Sequence, residues 1–197
     1  MAIQTTDSTQ HVSGKLNGSV TYLVGSIDYS PDCGVGWRAE VRQKLIAAGL
    51  GAIKVIDPCQ RTEGLPQDVG EEQSKINQYK AEKNWTALQS LMKPIVRADL
   101  RCIDCSDFII AYIERDIHMC GSYHEIVCCL SQKKPVMVVV KGGRQNASSW
   151  LFGICDVETM FDDFDSMVDY LKKLNDGTIP LSKKWVLFRQ VLESLGH

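Results

Sequence analysis

The chain has little of what marks a membrane, secreted or nucleic-acid-binding protein. In 197 residues, no apolar run reaches the ~18 residues of a membrane span. Met1–Gly18 is polar and lacks both a basic segment and an apolar core, so it predicts a flexible tail rather than a secretory signal. The net charge of −2 favours neither a nucleic acid polymer nor an anionic membrane as partner. We therefore expect a cytoplasmic protein.

The familiar cofactor and metal motifs are also missing. Gly34-x-Gly36 lacks the third glycine of a dinucleotide fingerprint, and the sequence has no P-loop and no Gly-x-Ser-x-Gly. Cys102-x-x-Cys105 is a single pair, without the second pair or histidines of a zinc site. The eight cysteines are expected to be buried, reduced thiols, because disulfides are improbable without a secretory signal. We expect neither a metal nor a cofactor.

The centre of the chain has the pattern of a βαβ unit. An apolar strand, Phe108–Ile113, is followed by the polar loop Glu114–His118 and by a helix that opens at Gly121-Ser122 and ends at Gln132–Lys134. A second apolar strand, Val136–Val140, completes the unit. Strands that are apolar throughout are typical of a parallel sheet covered on both faces. Ligands of such sheets bind beyond the carboxyl ends of the strands, which places the loop before the helix at the expected site.

The rest of the chain repeats this alternation. Further strands are predicted at Ser19–Val24, Ile53–Ile56 and, at one edge, Val157–Met160; helices are predicted at Trp37–Ala48, Glu71–Gln89, Leu91–Ile103 with Pro94 in its first turn, Phe164–Leu174 and Leu181–Leu195, with a short apolar segment at Trp150–Ile154. The polar helix Glu71–Gln89 is expected to lie on the surface or to cover a cleft. Five strands alternating with helices predict one α/β domain, a doubly wound parallel sheet spanning residues 19–197.

Glu125 has two interpretations. Ser122 and Glu125 have the spacing of a capping box, in which Ser122 is the N-cap and Glu125 returns to its amide. A carboxylate in the first helical turn, above two buried strands, is also well placed to be a nucleophile. The helix N-terminus would then lower its pKa by stabilising the anion. The two roles are compatible in different states.

Three other side-chain types are candidates for the chemistry. Asp99 is either a solvated helix residue or an acid at the cleft, and the hydroxyl of Tyr22, on the first strand, needs a partner. His118 and His124 are possible acids or bases, although single histidines in loops are more often merely exposed.

Four stretches together resemble the nucleoside 2-deoxyribosyltransferase superfamily, whose nucleotide branch contains the 2′-deoxynucleoside 5′-monophosphate N-hydrolases. The stretches are Tyr22-Leu-Val-Gly25-Ser26-Ile27, Val96-Arg-Ala-Asp99-Leu100 with Asp104 and Ser106-Asp107, Gly121-x-x-x-Glu125, and Lys134-Pro135-Val136. The resemblance spans roughly Ser19–Lys141, and no motif lies beyond it. It implies a flavodoxin-like fold.

The resemblance also implies roles for individual residues. Glu125 would be the nucleophile that attacks C1′ of the sugar, Asp99 would handle proton transfer at the base, and Tyr22 would orient the nucleophile. Substrate binding would fall to Gly25, Ser26, Ile27, Asp28, Gly121 and Ser122. Two carboxylates suffice to break an N-glycosidic bond without a cofactor, one to capture the positive charge on the sugar and one to protonate the base.

The expected function is therefore cleavage, with or without transfer, of the N-glycosidic bond of a small-molecule 2′-deoxynucleoside or its 5′-monophosphate. A strict nucleotide N-hydrolase and a non-catalytic nucleotide-binding module are the alternatives. Six residues before the glutamate, the family carries a polar residue for the 5′ end of the sugar, where this chain has Met119; Asp116, His118 or Ser122 would have to substitute. We also expect a homodimer or larger homo-oligomer, formed through the apolar stripe of Leu181–Leu195 or through the helix after Gly121.

Overall fold

Five short strands form one parallel sheet in the computed structural model, which describes residues 14–60 and 69–195. The strands are β1 (Val20–Val24), β2 (Lys54–Ile56), β3 (Phe108–Ile113), β4 (Val136–Val140) and β5 (Met160–Phe161). Their order across the sheet is β2-β1-β3-β4-β5, and every neighbouring pair is parallel. This is the flavodoxin-like order, so the predicted fold class is confirmed.

Helices cover both faces of this sheet. They are α1 (Val35–Ala47), α2 (Val69–Ala81), α3 (Trp85–Asp104), α4 (Cys120–Ser131), α5 (Ser149–Ile154), α6 (Phe164–Asp176) and α7 (Phe188–Ser194). On one face α1 packs beside α6, and on the other face α3 packs beside α4. Within the described ranges, none of these helices is long and apolar enough to cross a membrane.

Side chains alternate along each strand between two apolar cores. On β3, Ile110 packs into the core that contains α1 and α6, whereas its neighbour Ile109 packs into the core that contains α3 and α4. The period of two sends successive side chains to opposite faces. Tyr22 on β1 therefore faces the same core as Ile109, on the side where α4 carries Glu125.

The direction of the connections changes between β1 and β3. These strands are hydrogen-bonded neighbours, with Tyr22 opposite Ile109, yet α1 leaves β1 towards one face and α4 leaves β3 towards the other. The two loops that follow the strands separate at this point and leave a crevice between them. Ligands of open α/β sheets bind in such a crevice, which makes it the first place to look for a site.

The predicted boundary between tail and domain is wrong at residues 14–18. Leu16 is fully buried in the core beside α1 and α6. Its backbone N–H donates to Asn175 Oδ1 at 2.9 Å, and the N–H of Lys15 donates to the Asn175 carbonyl at 2.9 Å. A single leucine in a polar stretch has no periodicity to reveal such packing. Residues 1–13 lie outside the described ranges, where the tail stays a prediction.

The boundary between the second and third predicted helices is also wrong. The chain breaks the polar helix at Lys83, which has a left-handed φ of 54°, and α3 begins two residues later. Asn84 caps α3 by accepting from the N–H of Ala87 at 3.1 Å. As a result Pro94 lies inside a helix of 20 residues rather than in its first turn.

The last predicted helix, Leu181–Leu195, is much shorter in the structure. Helix α7 begins at Phe188, because the preceding residues pack irregularly, with Trp185 against Phe108 at a ring-centroid distance of 5.1 Å. Trp185 and Leu187 are buried, whereas Phe188 is 64% exposed. The predicted apolar stripe is therefore divided between the core and the surface.

The cysteines are reduced but mostly not buried. All eight carry free thiols, and only Cys129 and Cys155 are buried, while Cys105 and Cys120 are exposed. Burial raises the pKa of the Cys129 thiol to about 12 and that of Cys155 to about 11, which makes both unreactive. The expectation of buried thiols is wrong for the remaining six.

Asp107 connects the first strand and the last helix to the start of β3. This buried carboxylate accepts the backbone N–H of Val20 at 2.7 Å, at the start of β1, and that of Phe188 at 2.6 Å, at the start of α7. One side chain thus fixes the first strand and the last helix to the start of β3.

We expect Asp107→Asn to lower the free energy of unfolding by about 2–4 kcal/mol, because the amide replaces one acceptor with a donor that faces a buried N–H. Urea denaturation measures the loss. Asp169→Asn is the matched control, since Asp169 forms an exposed ion pair with Lys173 and should change the stability little. Equal losses for the two variants would contradict this role of Asp107.

Candidate active site

A cavity of about 300 Å³ opens at the crevice between the ends of β1 and β3. Helices α2 and α3 form its outer wall. Of the two positions expected for the polar segment Glu71–Gln89, the surface or the cover of a cleft, the structure shows the second. The cavity is lined by Tyr22, Gly25, Ser26, Ile27, Asp28, Arg38, Pro58, Glu72, Gln73, Ile76, Lys80, Leu88, Met92, Ile95, Val96, Asp99, Leu100, His118, Met119, Gly121, Ser122, His124 and Glu125. All nine residues predicted to be catalytic or substrate-binding lie on this surface.

A hydrogen bond between Tyr22 and Glu125 is the central contact of the cavity. The Tyr22 hydroxyl donates to Glu125 Oε1 at 2.9 Å, and this tyrosine is only 1% exposed. A buried phenol without a partner would cost stability, so the carboxyl group satisfies the hydroxyl and the hydroxyl fixes the carboxyl. Burial and the neighbouring carboxylates of Glu125 and Asp99 raise the pKa of Tyr22, so it remains a donor.

The capping-box interpretation of Glu125 is wrong. Helix α4 begins at Cys120, with Met119 in the N-cap position and no side-chain cap. Glu125 therefore lies in the second turn, too far along the helix to return to the capping amide. Ser122 is buried inside the first turn and lines the cavity instead of capping the helix.

The protonation of Glu125 also differs from the prediction. Desolvation by the surrounding protein, followed by repulsion from Asp99, raises its pKa to about 8. The Tyr22 hydrogen bond and the charge of Arg38 act in the opposite direction and are outweighed. The helix N-terminus was expected to lower this pKa, but its influence declines beyond the first turn. The result is a carboxyl that keeps its proton near neutral pH.

Asp99 lies where the second acid was predicted. It is a half-buried residue of α3 that lines the cavity, and its charge acts on both Glu125 and Tyr22. Its role as an acid stays a prediction. His118 and His124 are exposed residues at the cavity wall.

The loop after β1 forms another wall. Ser26 donates to the buried Glu114 at 3.1 Å, and Glu114 also accepts from Lys141 at 2.8 Å. Asp28 accepts from Gln73 at 2.9 Å and from Lys80 at 3.2 Å, which ties this loop to α2. The predicted binding turn is therefore held by contacts from two other segments of the chain, the loop after β3 and helix α2.

Met119 occupies the position that the resemblance reserves for the 5′ end of the sugar. It is buried, and its sulfur accepts from the Glu114 N–H at 3.2 Å. Of the three proposed substitutes, His118 and Ser122 line the cavity, whereas Asp116 is exposed and outside its lining.

Two buried charged residues of the cavity were missed in the sequence. Arg38 and Glu72 both line it and are almost fully buried. The signal was present in each case: Arg38 precedes Val41 by three residues, and Glu72 precedes Ile76 by four, so each falls on the apolar stripe of its helix. A charged residue on such a stripe marks either a partner or a site.

Among residues 14–60 and 69–195, no group of three or more His, Cys, Asp or Glu side chains is arranged to hold a metal ion.

Comparison with known proteins supports the fold. No protein-family model matches the sequence, and no curated protein matches it either. Among solved structures, the chain is similar to a 2-deoxyribosyltransferase from the psychrotolerant bacterium Bacillus psychrosaccharolyticus, with a TM-score of 0.51 and 16% sequence identity. The match covers 77% of this chain and 92% of the other. At this identity, the two proteins share their architecture.

Proposed function

We propose that this protein cleaves the N-glycosidic bond of 2′-deoxyribonucleosides or their 5′-monophosphates, and that it can pass the deoxyribosyl group to an acceptor base. The observation that carries the proposal is a carboxyl group, Glu125, held by the Tyr22 hydroxyl in a cavity that Asp99 also lines. The similarity in fold to a 2-deoxyribosyltransferase supports it.

The reaction needs one carboxylate and one carboxylic acid. The Glu125 anion attacks C1′ as the bond from C1′ to the base nitrogen breaks, and Asp99 delivers its proton to the leaving base. This leaves a glycosyl ester on Glu125. An incoming base, or water, then attacks C1′, releases Glu125 as the anion and returns a proton to Asp99.

Repulsion between the two acids links their protonation. Asp99 raises the pKa of Glu125 because its negative charge opposes a second one nearby. A proton on Asp99 removes that repulsion, and the anion of Glu125 then becomes easier to form. The reactive form in this mechanism has Glu125 ionised and the proton on Asp99, and it is the minor form at neutral pH because the pKa of Glu125 is about 8. Tyr22 stabilises the anion with its hydrogen bond.

The alternatives differ in the fate of the sugar and the base. A strict 5′-monophosphate N-hydrolase would release the sugar to water and ignore a free base, and a nucleotide-binding module would release no base at all. Assembly into a homodimer or larger homo-oligomer stays a prediction. Its interface would be the exposed part of the predicted stripe, Phe188 and Leu192, or the helix after Gly121. Sedimentation decides it, because a fully active monomer of 22.0 kDa would contradict it.

The first test incubates the protein with purine and pyrimidine deoxynucleosides and their monophosphates, with and without a free acceptor base. We expect base release, and base exchange when the acceptor is present. Glu125→Gln should fold, because the amide oxygen still accepts from Tyr22, yet turnover should fall at least about 1,000-fold because an amide cannot form the ester. Glu40→Gln, the same change at an exposed glutamate that does not line the cavity, is the control. Normal turnover by Glu125→Gln would sink the mechanism.

The proposed role of Asp99 as proton donor is tested by comparing substrates whose bases differ in their need for a proton. Asp99→Asn should slow natural deoxynucleosides by about 100-fold or more, since the base then leaves without a proton. A substrate whose base needs no protonation should lose much less. Initial rates for both substrates give the ratio, and equal losses would mean that Asp99 only holds the structure.

A further inference from the structure

Arg38 is a charged side chain buried in the core beside the cavity. It belongs to α1, is 1% exposed, and still reaches the cavity wall. Its guanidinium lies over the ring of Trp37, with Cζ 4.4 Å from the ring centroid. Burying a guanidinium costs free energy unless its N–H groups find acceptors and its charge is paired with an anion. The partners of Arg38 therefore indicate its role.

Those partners are two backbone carbonyls and one carboxylate. Nη1 donates to the Gly34 carbonyl at 2.9 Å, and Nη2 donates to the Gly25 carbonyl at 2.9 Å. Nε lies 3.6 Å from Asp57 Oδ1, an ion pair longer than a hydrogen bond. Asp57 is shared with Arg42, whose Nη2 lies 3.5 Å from Oδ2. Arg38 is therefore paired with the carboxylate of Asp57, and it donates hydrogen bonds to two backbone carbonyls.

The two carbonyls belong to opposite ends of the loop 25–34. Gly25 directly follows β1, and Gly34 is the N-cap of α1 with a left-handed φ of 71°. A Cβ at Gly34 would collide with Arg38 Nη1, and one at Gly25 would lie 2.5 Å from the Trp37 ring. Gly34 thus permits the close approach of the guanidinium, and Gly25 permits the close approach of the Trp37 ring over which the guanidinium lies. The first residues of this loop line the cavity.

Arg38 also contributes its charge to the cavity. Glu125 faces Tyr22 from β1, Asp99 from α3 and Arg38 from α1, with Glu72 of α2, His118 and the adjacent His124 on the same cavity surface. Arg38 favours the anion of Glu125 and lowers its pKa, against desolvation and Asp99. Lys80, the other cation on the cavity wall of the described chain, is paired with Asp28.

We propose that Arg38 is the positioning residue of this site: it ties the two ends of the loop 25–34 together beside the cavity and places a cationic guanidinium on the wall that Glu125 shares. The part of this proposal that concerns turnover rests on the proposed function, whereas the parts that concern the loop and the charge beside Glu125 do not. Because Nη1 and Nη2 both donate to backbone carbonyls, Arg38 acts through the loop and through its charge, and no step of the reaction is assigned to it.

The test separates the two effects with two variants and a control. Arg38→Gln removes the charge, so the rising limb of the kcat/KM profile should move to higher pH by about one unit. Arg38→Lys keeps the positive charge but loses the planar guanidinium that donates to two carbonyls at once. The rising limb of the kcat/KM profile should therefore stay at the same pH, while KM rises and the amides of residues 26–34 exchange hydrogen faster. Arg42→Gln, which touches the same Asp57 from outside the cavity, should change neither. An unchanged pH limb and unchanged exchange in Arg38→Gln would overturn the proposal.

Two further measurements keep the proposal testable if Arg38→Gln does not fold or if no substrate is turned over. Asp57→Asn leaves Arg38 in place without its counter-charge, so the pKa of Glu125 should fall, and a rise or no change would contradict the proposal. Carbon-13 NMR of labelled glutamate follows that pKa directly, and hydrogen exchange follows the loop, both without substrate. Absence of turnover alongside the expected NMR and exchange results would refute the proposed function and leave the role of Arg38 standing.

Discussion

The hydrogen bond from Tyr22 to Glu125 is the contact on which the site depends. It joins β1 to α4 across the point where the connections of the sheet turn to opposite faces. The pairing of β1 with β3 sets the position of the tyrosine, and the loop after β3 sets the position of the glutamate. The fold thus supplies the geometry, and the cavity supplies room for a substrate.

Ionising Glu125 in this cavity costs free energy, and the neighbouring residues offset only part of that cost. Desolvation and the charge of Asp99 act against the anion of Glu125, while Tyr22 and Arg38 act for it. The balance raises the pKa to about 8, which leaves roughly one carboxyl in ten ionised at pH 7. Because the folded state binds this proton more tightly than the unfolded chain, ionisation of Glu125 lowers stability as the pH rises from about 4.5 towards 8. The folded protein therefore loses stability when Glu125 is ionised, which is the form that the proposed reaction requires.

Much of this could be predicted from the sequence, and the failures have physical reasons. The strands Phe108–Ile113 and Val136–Val140 were predicted with their observed ends, because a continuous apolar run between polar segments leaves little choice. The resemblance led to Glu125, Tyr22 and Asp99, which the structure brings to one cavity. Contacts between distant residues were invisible: α7 begins at Phe188, whose N–H bonds to Asp107, 81 residues away. The pKa of Glu125 was misjudged for the same reason, since desolvation depends on packing rather than on helix position.

The central claim is that Glu125 forms a covalent bond to the sugar, and trapping that bond tests it most directly. A deoxynucleoside with fluorine at C2′ destabilises the positive charge on the sugar and slows release of the glycosyl enzyme. Intact-mass and peptide analysis should then show one glycosyl group on Glu125, none on the Glu125→Gln variant, and loss of the group when an acceptor base is added. Unmodified protein alongside normal turnover of ordinary substrates, or a glycosyl group on Asp99, would contradict the account.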